Sequence, residues 1–361
     1  MKFREYLSGL GGTSFLYANA SNGLKDVLAS LARSSGRPSP HVILPTYIPA
    51  KIYRASLSAG CAVRFYEVRG NCTFDPMEVE SLLDESTVAI LYIHYFGFPH
   101  QLESMRELSA RRNIPLIEDC ALTISARHEG KELGTYGDIA VFSMRKMFLY
   151  PEGGFLRLSD RFREFRPTYA WRVRNCFSVT RYLKQKVKYI YIRVTGGGDP
   201  LRIFHYDPVG SIDPGEPQVL DVKMMSSFSR YRLKYVDVES VARRRRENFA
   251  YLADAFSGVL SMDPVHRKLP EGCTPYSFPL LVRDGKRDYY REQLLARGIV
   301  TGAGWPEAPF SESYPGTTIL ARSMLELPVH QALTRQQLLR SVRCLRELAL
   351  SDQDSVTAVA Q

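Results

Sequence analysis

Between His41 and Ser143, short apolar runs alternate with segments whose apolar residues recur at helical spacing. HVILP (41–45), AVRFYEV (62–68), VAILYIHYF (88–96), IPLIED (114–119) and DIAVFS (138–143) read as strands; the stretch Ala50 to Ala59, DPMEVESLL and QLESMRELSARR read as helices. Strands joined through helical segments of this length predict parallel neighbours and right-handed crossovers, hence a doubly wound, mostly parallel α/β sheet. In such a sheet the ligand crevice lies beyond the carboxyl ends of the strands. Residues 1 to about 35 predict a lead-in and a first helix running through LKDVLASLA.

From 155 to 235 the alternation degrades into an irregular helical and linker insertion. It carries the aromatic-basic stretch RYLKQKVKYIYIR, a break at Gly196-Gly197-Gly198-Asp199-Pro200, and Pro208, Pro214 and Pro217. The aromatic-basic stretch is expected to pack as a helix against the main body rather than to touch a membrane. A large domain over 1–235 is thus followed by a smaller C-terminal α/β domain over 236–350. That domain has a long helix through VESVARRRRENFAYLADAF, a strand YSFPLLV, a helix DYYREQLLARG, a loop through Trp305-Pro306 and a last helix after Leu327-Pro328-Val329-His330. His330 reads as a residue leading into that helix. SDQDSVTAVAQ (351–361) carries no packing signal and predicts a flexible tail.

Composition narrows the class. The 361 residues are 45% hydrophobic, enough to bury a large core. No apolar run approaches the roughly 18 residues that cross a bilayer, and MKFREYLSGLGG lacks the apolar stretch of a secretory signal, so a cytoplasmic protein is expected. The six cysteines form no CxxC pair, which argues against a zinc site and against a disulfide framework. The net charge of +10 and the run Arg243-Arg244-Arg245-Arg246 invite a nucleic-acid reading, but Val238, Val241, Phe249, Leu252 and Phe256 recur so as to leave the arginines largely on a solvated face. No nucleic-acid, membrane or metal partner is expected.

The chemistry concentrates at three strand ends. IPLIED ends in Asp119, DIAVFS ends in Ser143 with Lys146 just beyond, and a loop begins at His94. A lysine amine, a carboxylate and phosphate-binding hydroxyls are what pyridoxal 5'-phosphate (PLP) asks of a protein. The amine condenses with its aldehyde, the acid keeps its ring nitrogen protonated, and hydroxyls with helix-start amides hold its phosphate. Lys146, Asp119 and Ser143 fit these needs, and Ser21-Asn22-Gly23, where a loop enters a helix, supplies the second half of a phosphate cradle. Arg145 could not replace the lysine, because a guanidinium does not give up its proton.

These segments, in this order, resemble the DegT/DnrJ/EryC1/StrS family of fold type I PLP enzymes, chiefly sugar aminotransferases. The likeness spans nearly the whole chain. It runs through VILPTYIPAKIYRASLSAGCAVRFYEV, ILYIHYFG, IPLIEDCA, GTYGDIAVFS, Glu152-Gly153-Gly154, RGIVTG and LPVHQALT. The family's spacing from lysine to Gly153 and Gly154 is kept, whereas Ser143 to Lys146 is two residues shorter than in the family. Three further departures stand out. Leu122 replaces the Gln or His that usually lies near the ring, Pro49 replaces a ring-covering aromatic, and Ser227-Phe228-Ser229-Arg230 replaces a Gly-x-Asn-x-Arg segment that reaches a neighbouring subunit's cofactor.

The resemblance implies the fold type I architecture, a homodimer, and Lys146 as the cofactor lysine and proton shuttle. It also places Asp119 at the ring nitrogen and Ser143 and Ser21 at the phosphate. Tyr47, His94 and Tyr95 become candidate ring or substrate contacts, and Trp305 a residue of the substrate mouth. The expected reaction moves an amino group from an amino acid to a keto sugar, nucleotide-linked, or to a related cyclic ketone. Elimination, decarboxylation or cyclisation on the same scaffold, and a non-catalytic binding or regulatory relative, remain the alternatives.

Overall fold

A computed structural model describes residues 1–148, 150–195, 221–256, 262–283, 285–306, 308 and 313–359. The chain opens with α1 (Phe3–Gly9), β1 (Thr13–Tyr17), α2 (Ala20–Ser35), β2 (His41–Pro45), α3 (Ala50–Ser58), β3 (Ala62–Tyr66), α4 (Pro76–Ser81), β4 (Thr87–Ile93), α5 (Leu102–Arg112) and β5 (Leu116–Asp119). A small hairpin of β6 (Arg127–His128) and β7 (Lys131–Glu132) precedes β8 (Ile139–Ser143), α6 (Met144–Met147), β9 (Gly154–Leu158), β10 (Trp171–Arg172), α7 (Asn175–Thr195), β11 (Lys223–Met224) and α8 (Ser227–Leu233). The remainder is α9 (Val238–Ala255), β12 (Met262–Pro264), β13 (Ser277–Val282), α10 (Arg287–Ala296), α11 (Pro315–Ser323), β14 (Met324–Pro328) and α12 (Arg335–Val359).

The nine-stranded main sheet has the order β10-β11-β1-β9-β8-β5-β4-β2-β3. Its five strands from β8 to β3 are parallel, as the strand–helix alternation predicts; β2, β4 and β5 are buried along their whole length, as apolar strands covered on both faces must be. The other edge departs from the expectation. β9 runs antiparallel to both β8 and β1, so the first 35 residues contribute a strand as well as a helix, and the stretch from 155 onward begins inside the sheet rather than in a linker. The second sheet, β12-β13-β14, is antiparallel, with α9 and α11 against β13 and with α10 and α11 against β14.

Two other expectations change. α12 continues through Val359 and takes into helix most of the stretch read as a tail. The run of arginines is not a solvated face: Arg245 is buried and Arg246 half-buried, with guanidinium hydrogen bonds to Cys273, Ser125, Thr274 and Glu239 from Arg246 alone. The glycine- and proline-rich break at 196–217 lies outside the described residues.

Candidate active site

The site is built on the carboxyl ends of β5 and β8, paired in register with Asp119 opposite Val141. Asp119 is 7% exposed. Its Oδ1 accepts the Ala121 amide at 2.8 Å, while Oδ2 accepts nothing from a described residue. Burial pushes this carboxyl above its ordinary range, and the charge of Lys146 and the Ala121 amide offset only part of that. Lys146 sits in the one-turn helix α6, which Ser143 begins. Burial pulls the Lys146 amine below the ordinary lysine range, against the opposing pull of Asp119 and Glu326. Among the described residues Nζ makes no hydrogen bond or ion pair; it lies 5.9 Å from the centroid of the Trp305 ring.

The third corner is the start of α2. In the β1–β9–β8 ladder Tyr17 faces Gly154 and Gly154 faces Ser143, so the residues entering α2 lie two strands from Ser143. Gly154 makes the approach possible: a Cβ there would sit 2.3 Å from the Ala20 amide nitrogen. The hydroxyls of Ser143 and Ser21 make no hydrogen bond among the described residues, and Ala20 and Ser21 are first-turn residues whose amides lack an intrahelical acceptor. Asn22 departs from expectation. Its backbone N–H caps onto Asn19 and its side-chain amide donates to the Asp221 carbonyl at 2.7 Å, so it fastens α2 to the strand beside it.

The mouth is aromatic. Tyr47, Tyr95 and Trp305 form one cluster, with ring centroids 4.9 Å apart for Tyr47–Trp305 and 5.7 Å for Tyr47–Tyr95. Tyr95 spends its hydroxyl on the Tyr47 carbonyl, and the Tyr47 hydroxyl accepts the Trp305 amide at 3.0 Å, which ties the three rings together. Leu122 is buried in the turn that follows β5. His94 is not at the mouth. It is fully buried, with Nε2 2.9 Å from Glu118 Oε2, because β4 ends at Ile93 and the next side chain turns inward against Tyr92. Burial raises the Glu118 carboxyl, but His94 and the amides of Gly137 and Gly134 outweigh it and hold the group below its usual range.

Sequence reasoning missed Glu326. From β14 of the small sheet its carboxylate reaches the same crevice, accepting the Ser277 hydroxyl and, at 2.8 Å, the Gly304 amide. The Glu326 backbone pairs both ways with Gly302. Gly304 has φ +60°, and a Cβ there would meet the Tyr47 hydroxyl at 1.9 Å, so only glycine allows the loop that presents Trp305. Arg245 was missed too: its guanidinium donates to the carbonyls of Pro275, Tyr276 and, at 3.3 Å, Lys146, and Gln331 donates to the Met147 carbonyl. A signal for it was available. Four consecutive residues sweep most of a helical turn, so a run of four arginines on a packed helix must send at least one inward.

Residues 2–166 match the profile of the DegT/DnrJ/EryC1/StrS aminotransferase family. That match takes in 165 of the 361 residues. Similar to this chain is a dTDP-3-amino-3,4,6-trideoxy-alpha-D-glucose transaminase of Streptomyces venezuelae, 27% identical over 92% of this chain and 83% of its own. Another is a dTDP-4-dehydro-2,3,6-trideoxy-D-glucose 4-aminotransferase of Saccharopolyspora spinosa, 25% identical over 82% of this chain and 74% of its own. The crystal structure of the aminotransferase TlmJ from Streptoalloteichus hindustanus superposes with a TM-score of 0.70 at 22% identity, covering 98% of this chain and 89% of that one, which shows the shared fold. Among the described residues no helix is long and apolar enough to cross a membrane.

Proposed function

We propose that this chain is a PLP-dependent aminotransferase of the DegT/DnrJ/EryC1/StrS family that moves an amino group from an amino acid such as glutamate to a keto sugar, nucleotide-linked, or to a related cyclic ketone. The observation that carries the proposal is the convergence of Lys146, Asp119, Ser143 and the start of α2, each with an open hydrogen-bonding valence. That set fits a phosphorylated pyridine aldehyde. When bound, PLP supplies an aldehyde that takes up the amine and a ring that draws off negative charge from the substrate carbon.

The protein's part follows from its own groups. Lys146 Nζ would hold the cofactor and move the proton, and burial, which lowers its pKa, favours the neutral amine that both roles need. Asp119 Oδ2 would accept the ring N–H. The Ser143 and Ser21 hydroxyls with the first amides of α2 would hold the phosphate, where the helix dipole favours negative charge. Trp305 shields the amine from water, and Glu326 fixes the loop that carries it. A homodimer completes the proposal, with α8 and its Ser227-Phe228-Ser229-Arg230 segment in the region that reaches a partner in the family.

The test is a spectral titration of the purified protein with PLP and then amino acids. A PLP-dependent absorbance band that glutamate bleaches, together with borohydride-fixed cofactor on the Lys146 peptide by mass spectrometry, is expected. Colour that no amino acid changes points to the other PLP chemistries. A protein that takes up no PLP overturns the reading.

A further inference from the structure

α7 carries Arg181, Lys184, Lys186, Lys188 and Arg193 and not one Asp or Glu from Asn175 to Thr195. It leans on α8 through one face, where Ser178 is buried and Tyr182 meets the Phe228 ring at 5.5 Å and accepts from Arg232. Away from that face Leu183, Val187 and Ile190 recur at i, i+4 and i+7 and form one strip, 58%, 68% and 59% exposed. Phe177, earlier on the helix, is 59% exposed. The exposed Lys184 and Lys186 stand on either side of the strip. The expected packing as a helix against the main body is thus met through one face, while Leu183, Val187 and Ile190 stay uncovered. Nearby elements add exposed aromatics under cations: Lys223 Nζ lies 4.4 Å over the Trp171 ring, and Lys234 Nζ 3.7 Å over that of Tyr231.

We infer that α7 is an interfacial helix that seats the protein on an anionic lipid surface, its Leu183–Val187–Ile190 strip among the acyl chains and its cations among the headgroups. Three features choose this partner. An apolar strip flanked by lysines is the pattern of a helix lying in the plane of a bilayer, where long cationic stems reach the headgroups. A nucleic acid would use the charges and leave the aliphatic strip in water. The homodimer proposed above engages α8, whereas a two-fold axis through α7 itself would bring together two helices that have cations and no acid. The inference is independent of the proposed reaction.

The experiment is co-sedimentation of the full-length protein with phosphatidylglycerol vesicles and with phosphatidylcholine vesicles, at low and high salt. Expected are binding to the anionic vesicles only, a loss of about tenfold in partition for the double variant Leu183→Asp/Val187→Asp, and a smaller, salt-like loss for Lys184→Gln/Lys186→Gln. Unchanged melting temperatures would show that the exposed substitutions leave the fold intact. Absence of binding to phosphatidylglycerol, or equal binding by the Asp variant, overturns the inference. So does retention on single-stranded DNA that the Asp variant shares while vesicles are ignored, which gives the surface to nucleic acid. A smaller particle by light scattering for the Asp variant, with vesicles ignored by the wild type, gives the strip to a second copy and also overturns it.

Discussion

Glu118 and Asp119 are consecutive on one strand, both buried, and opposite in partners and in the direction of their pKa shifts. Strand geometry sends them to opposite faces of the sheet. Glu118 meets three donors, His94 and the amides of Gly134 and Gly137, and sits below the usual carboxylate range. Asp119 meets one amide and sits above it. The first carboxylate is satisfied by the fold; the second is satisfied only when something else enters the crevice. Burial by itself therefore does not mark a functional acid, whereas burial with an unfilled valence does.

The largest expected effect lies on the unsatisfied side. Lys146→Ala should lower turnover by at least about a thousandfold while the apo protein melts normally, measured by amino-transfer assay and thermal denaturation. Normal turnover would remove Lys146 from its role. On the satisfied side, Glu118→Gln strands His94 without its acid and should cost about 3 kcal/mol of folding stability, read from denaturant unfolding of the apo protein. If the loss instead appeared only in turnover, the contrast between the two carboxylates would fail. Asp119→Asn should do the reverse, lowering turnover roughly a hundredfold with stability held or slightly raised.

The smallest effect is also the sharpest. A carboxyl held below its usual range stabilises the fold above its unfolded pKa, and that stability is lost as pH falls through the folded value; one held above its range stabilises at low pH, and that is lost as pH rises through the folded value. Relative to wild type, apo Glu118→Gln should therefore fall behind as pH rises toward the ordinary glutamate pKa of about 4.3, while apo Asp119→Asn and Glu326→Gln should gain ground as pH rises above the ordinary carboxylate pKa of about 4. Melting temperatures across pH would read the slopes, and slopes of the same sign for Glu118→Gln and Asp119→Asn would sink the comparison.

Much of this was legible because it depends on local pattern. Apolar runs ending in Asp119 and Ser143 announce strands, and the alternation with helices sets which ends share a crevice. His94 was misread because only the turn after Ile93, with Phe96 in the left-handed region, decides that the ring faces Glu118. β1 and β9 were unread as a pair because antiparallel partners about 140 residues apart leave no local period. Glu326 was invisible for the same reason: LELP is an ordinary strand, and its partners Ser277 and Gly304 are brought to it by tertiary structure. Tyr47 and Trp305 were singled out separately, but the hydrogen bond they share is made by tertiary structure.

The contact between Arg245 and the Lys146 carbonyl, reinforced by Gln331 on Met147, has a consequence for how the gene product could be divided. A polypeptide severed near residue 235 would keep the lysine, the acid and every phosphate ligand on its first fragment, yet would surrender the guanidinium that fixes where the lysine's backbone points. The two fragments would have to find each other again before either could work, so the long α9 helix acts as the tether that makes one catalyst out of two sheets.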